Sequence, residues 1–115
     1  MTFEEFDKIQ KDTFLECAAM SITKGKEYSR TADRFANFKR IAEKNKKNTP
    51  LDVCHILLSK HLDSIDSFVE NGRVFSEEKI HGRIVDAIVY LTLLDGLIVE
   101  KEKSSDFTKL ESVKK

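Results

Sequence analysis

Asp86 is the residue whose type and place could do the most chemistry. It lies in Ile84-Val85-Asp86-Ala87-Ile88-Val89-Tyr90-Leu91, where apolar side chains surround a helix on nearly every side. A carboxylate there is costly to bury unless a cation, a donor or a metal compensates it. It reads either as a metal ligand or acceptor for a ligand's hydroxyl or amine, or as one half of an internal ion pair with Lys60, Arg34 or Arg83. Gly82, Asp86 and Tyr90 repeat along one helix face, and a glycine one turn before a buried acid admits a ligand or a closely packed chain. Asp63 and Asp66 stand one turn apart on a polar face beside Lys60; such a pair either holds Mg²⁺ through carboxylate oxygens and retained waters or is solvated charge. His61 falls on an apolar stripe, where a lone histidine reads as a core residue. His55 and His81 lack a ligand-type partner at metal-binding spacing, so no zinc site is indicated.

Other chemistries have no signature. The chain contains no G-x-x-x-x-G-K-[ST], no G-x-G-x-x-G and no G-x-S-x-G. Cys17 and Cys54 have neither zinc nor redox spacing and read as buried thiols in a reducing cytoplasm. Arg34, Lys39, Arg40 and Lys44 with Phe35 and Phe38 have the composition of a nucleic-acid helix, but the aromatics occupy the face that must be buried, so DNA is not the expected partner.

The elements that must position these residues are helical. The chain of 115 residues is 40% hydrophobic and 35% charged, with 20 basic and 20 acidic residues and no formal net charge. Four glycines and one proline are too few for a turn-rich barrel or sandwich. Apolar spacing predicts helix 1 over residues 2–23, opened by the capping-box spacing of Thr2 and Glu5 and ended by Gly25, and helix 2 from about Thr31 to Asn45. Thr49-Pro50-Leu51-Asp52 opens helix 3, which runs to about Glu70 before Asn71-Gly72. Ser76, with Glu77 and Glu78 behind it, is expected to cap helix 4, which reaches about Glu100. Helix 4 is apolar around most of its girth from Ile84 to Leu94, which predicts burial against a second copy, as a homodimer or higher homo-oligomer. Residues 1–100 are expected to form one helical domain and residues 101–115 a polar, partly disordered tail, in which Phe107, Leu110 and Val113 make at most a turn or two. Residues 24–50 carry nine basic and three acidic side chains, a surface suited to phosphate unless it faces the acidic 51–100 segment. The acidic opening Met1-Thr2-Phe3-Glu4-Glu5 is unlike a secretory signal, and no run is apolar enough to cross a membrane, so a cytoplasmic location is expected.

Lys24-Gly25-Lys26-Glu27-Tyr28 followed by Asp33-Arg34-Phe35-Ala36-Asn37-Phe38 resembles the "K-x-x-(D/E)-Y … D-x-F-x-N-F" opening of a group of small phage and prophage proteins. Their later lysine helix is matched at Lys60. Their closing "R-(I/L)-x-D-(A/L)-x-x-Y" is matched by Arg83-Ile84-Val85-Asp86-Ala87-Ile88-Val89-Tyr90. The group looks like a distant branch of the MazG-like all-α NTP pyrophosphatases, and the resemblance covers roughly residues 20–100. It implies an all-α, four-helix-bundle-like oligomer that handles nucleotides. In the MazG-like enzymes E-x-x-E and E-x-x-D motifs hold Mg²⁺, which activates water against the α–β phosphate linkage. Here Asp86 matches the final Asp of E-x-x-D, Arg83 stands where its Glu would be, and E-x-x-E is missing from helices 2 and 3.

The resemblance therefore implies a binding set more than a hydrolytic one. Lys24, Arg34 and Lys60 would hold phosphate, Tyr28 would stack on a base, Asn37 would read a base edge, and Asp86 and Tyr90 would complete the pocket. A metal, if one binds, would sit on Asp63 and Asp86. The expected ligand is a nucleotide or cyclic oligonucleotide, taken from the nucleotide pool or sequestered as a defence signal, with weak or no hydrolysis. The competing expectations are a helical module that docks a host or phage protein through its charged faces, and a Mg²⁺-dependent pyrophosphohydrolase using Asp63, Asp66 and Asp86.

Overall fold

The computed structural model describes the backbone of residues 1–73 and 79–113 and side chains through residue 104. Among these residues it is all-helical, in the order α1 (Phe3–Ser29), α2 (Ala36–Lys44), α3 (Pro50–Asn71) and α4 (Ile80–Val113). Two of the starts follow from local chemistry. The Thr2 hydroxyl accepts from the Glu5 backbone N–H and the Glu5 carboxylate accepts from that of Thr2, a reciprocal cap for α1. Thr49 and Asp52 do the same for α3, with Pro50 at its first position. Such caps contribute about 1 kcal/mol each. Gly72 ends α3 with φ of +70°, the left-handed conformation in which glycine carries no steric cost.

Three boundaries depart from the expectation. Gly25 does not stop α1, which continues to Ser29 and is buried at the glycine. A Cβ at Gly25 would stand 2.6 Å from Arg34 Nε, so the missing side chain lets Arg34 lie across the helix. The start of α2 is delayed to Ala36 because side chains capture the preceding backbone. Thr31 Oγ1 accepts from the Asp33 N–H at 3.1 Å and Asp33 Oδ1 from that of Phe35 at 3.0 Å. Such bonds compete with helix formation. The expected tail after Glu100 is instead a continuation of α4, whose backbone is unbroken to Val113 and so crosses the proposed domain limit. The expected Ser76 cap, and the side chains of Phe107, Leu110 and Val113, lie outside the described residues.

Helices α3 and α4 run antiparallel: Cys54 Sγ reaches the Tyr90 carbonyl at 3.7 Å, while His61 lies level with Asp86. Helix α1 runs alongside α4 in the same direction, from Glu16 at His81 to Lys24 at Asp86. Phe38, Val53, Cys54, Val85, Val89, Leu93 and Leu97 form the shared core. The apolar girth of α4 is thus largely covered within the chain by α1, α2 and α3, leaving Ile84, Leu91, Ile98 and Val99 part-exposed. Phe35 lies against Gly96, where a Cβ would stand 2.8 Å from its ring. Two basic residues of α2 have partners within the chain: Lys39 meets Asp33 at 2.7 Å and Glu100 at 2.9 Å, and Arg40 donates to the Ser29 and Tyr28 carbonyls.

Phe38 is 1% exposed and Val69 is 77% exposed. Phe38→Ala is therefore expected to cost about 3–5 kcal/mol by transfer and cavity effects, while Val69→Ala stays within about 0.5 kcal/mol. Urea unfolding midpoints of the two variants check the contrast.

Candidate functional site

Asp86 is 6% exposed, as its apolar surroundings predict. Its Oδ1 lies 3.5 Å from Lys24 Nζ and its Oδ2 lies 3.8 Å from His61 Nδ1. The carboxylate thus has an ammonium and an imidazole from two other helices as neighbours. They are Lys24 and His61, where the sequence pointed to Lys60, Arg34 or Arg83. Both separations exceed a closed N–H···O bond, so the carboxylate is neutralised but not clamped. Lys24 reaches it because α1 continues through Gly25, which puts Lys24 on the same face as Cys17 and Met20. His61 reaches it because the apolar stripe of α3 faces α4. Its ring stands 5.0 Å from that of Tyr90, tilted by 34°. Tyr90 also meets Phe38 edge-on at 6.4 Å.

The phenol of Tyr90 lies within electrostatic reach of several expected site residues. Burial pushes it above its ordinary range; the charges of Cys54, Asp86 and Tyr28 push the same way, and Arg34 opposes them. Tyr28, Arg34 and Asp86 thus lie near Tyr90, Lys24 meets Asp86, and His61 joins them. Arg34 also lines an open cavity of about 420 Å³ with Ser21, Gly25, Lys26, Ser29 and Thr31. Its Nη2 donates to the Ser21 carbonyl at 3.4 Å. Asn37 is on α2 one turn before Arg40, which bonds the end of α1, so Asn37 shares that α1-facing side. Its Oδ1 is buried and accepts no hydrogen bond. A buried acceptor without a donor costs about 1–3 kcal/mol.

Two expected residues are not brought to this place. Lys60 is exposed on α3. Asp63 is exposed too, two positions after His61 and so about 200° around the helix from the side that meets Asp86. No cluster of three His, Cys, Asp or Glu side chains suited to a metal occurs among the described residues. The donor set around Asp86 does not fit the magnesium that the resemblance implies. One carboxylate faces an ammonium and an imidazole, whereas the ion needs several oxygen ligands.

Sequence reasoning passed over His61, because its spacing alone does not separate a core histidine from one facing Asp86. The available signal was register: α3 pairs antiparallel with α4, and Cys54 opposite Tyr90 brings His61 opposite Asp86. Comparison of the chain with protein-family models, with curated proteins and with solved structures finds no match.

The same burial governs behaviour in alkali. Cys54 is fully buried and its thiol is pushed up to about 11 by desolvation, and Tyr90 is raised as well. Raised folded values mean that the native state holds these protons more tightly than the unfolded chain. Stability is then expected to be flat below about pH 9 and to fall as pH rises through about 11. Tyr90→Phe should flatten part of that fall, which urea midpoints at about pH 8 and about pH 10.5 would register.

Proposed function

We propose that this chain is a nucleotide-binding helical protein of the MazG-like phage type that holds its ligand without cleaving it. The observation that carries the reading is the double position of Arg34. It lines the open cavity at the end of α1 and also acts electrostatically on Tyr90 beside Asp86. Phosphate oxygens would meet Arg34 and Lys26 in the cavity, where guanidinium and ammonium groups bind them as charged donors. Tyr28, about half-exposed near Tyr90, offers a ring face for a base. Asn37 offers its unpaired acceptor to an N–H of that base. Asp86 would hold Lys24 and His61 in place at the floor.

Retention without cleavage follows from the donor set. A single carboxylate flanked by Lys24 and His61 supplies no oxygen cage for a metal-activated water.

Thermal unfolding in the presence of ribo- and deoxyribonucleoside triphosphates and cyclic oligonucleotides, with and without Mg²⁺, tests the reading. A ligand at 100 times its Kd adds about 2.7 kcal/mol of stability. The expected result is a shift that Arg34→Ala and Asp86→Asn abolish and Asp63→Asn keeps, with no pyrophosphate released. No shift with any nucleotide, or a shift lost in Asp63→Asn, contradicts it.

A further inference from the structure

Gly25 stands inside the closing turns of α1, where glycine is a poor choice for a helix. It does not serve the backbone there. Among the described residues Gly72 is the one glycine with a positive φ, so the left-handed freedom of glycine goes unused at position 25. What Gly25 supplies is space. A Cβ at this place would stand 2.6 Å from Arg34 Nε and 2.9 Å from its Cδ. Gly96 on α4 gives similar space to the next residue, where a Cβ would stand 2.8 Å from the Phe35 ring. Two adjacent side chains thus lie against glycines of two different helices. The two seats differ in what they hold. Phe35 packs against the core and belongs to the fold. Arg34 is charged and lines the open cavity, and its bond to the Ser21 carbonyl is long, at 3.4 Å.

We propose that Gly25 is a positioning residue of the nucleotide site, kept without a side chain so that Arg34 lies across α1 with its guanidinium toward the cavity. The inference rests on the nucleotide reading above and adds to it the residue that sets the phosphate donor in place. A methyl group at position 25 turns the guanidinium off α1. The fold can bear that change, because the displaced atoms belong to the outer part of a flexible side chain and a helix gains from alanine in place of glycine. Phosphate binding cannot, because a guanidinium that must first be ordered forms its charge-assisted bonds at a loss of affinity.

Isothermal titration of the full chain with inorganic tripolyphosphate, alongside thermal unfolding, tests the assignment. Gly25→Ala should bind tripolyphosphate about tenfold more weakly than the wild type, as Arg34→Ala does. Its Tm should stay within about 2 °C of the wild-type value or rise above it. Adding Arg34→Ala to Gly25→Ala should weaken binding no further, since both changes remove the same contact. The split between affinity and Tm separates positioning from packing. Wild-type affinity in Gly25→Ala, a larger fall in Tm, or a double variant weaker than either single one overturns the proposal. A wild type that does not bind tripolyphosphate overturns it too, whereas the nucleotide reading itself falls only when no nucleotide binds either.

Discussion

The arrangement depends on the burial of one carboxylate. Asp86 sits in the most apolar stretch of the chain, and the fold must bring positive charge to it from elsewhere. That requirement sets the register of three helices. Helix α3 must place His61 level with Asp86, and α1 must run on far enough to deliver Lys24. Removing either neighbour would leave a buried charge less compensated, which costs more than the pair gains by forming. The long 3.5 and 3.8 Å separations keep the group neutralised while leaving its oxygens able to accept further donors.

Glycine and arginine then extend this core to the surface. Gly25 lets Arg34 cross α1, and Arg34 carries positive charge from the neighbourhood of Tyr90 out to the open cavity. Arg40 closes the end of α1 by donating to its last carbonyls, a role basic side chains take at helix C-termini. Arg34, Lys39 and Arg40 thus tie the structure together, while Lys26, Arg30, Lys44, Lys46 and Lys47 lie on its surface.

Much of this was legible in the sequence where local chemistry decides it. The start of α3 at Thr49-Pro50 and the capping box at Thr2 were readable because a few adjacent residues satisfy the first turn by themselves. Asp86 was readable as buried because its neighbours are apolar all round. The end of α1 was misread because Gly25 is both a common helix stop and a means of close approach, and only the position of Arg34 separates the two. That misreading assigned Lys24 to a connecting segment and so hid the cation nearest to Asp86. His61 stayed hidden because the pairing of α3 with α4 is a long-range fact. Beyond Glu100 the apolar repeat is confined to Phe107, Leu110 and Val113, so periodicity supported no more than a turn or two there.

The three histidines give the central claim its most direct test. His61 lies beside Asp86, His55 is exposed elsewhere on α3, and His81 pairs with Glu16 on the surface. In a nucleoside triphosphate titration followed by NMR of the imidazole protons, the His61 resonances should move saturably while those of His55 and His81 stay in place. Resonances of His61 that do not move, or that move no more than those of His55, would contradict the account.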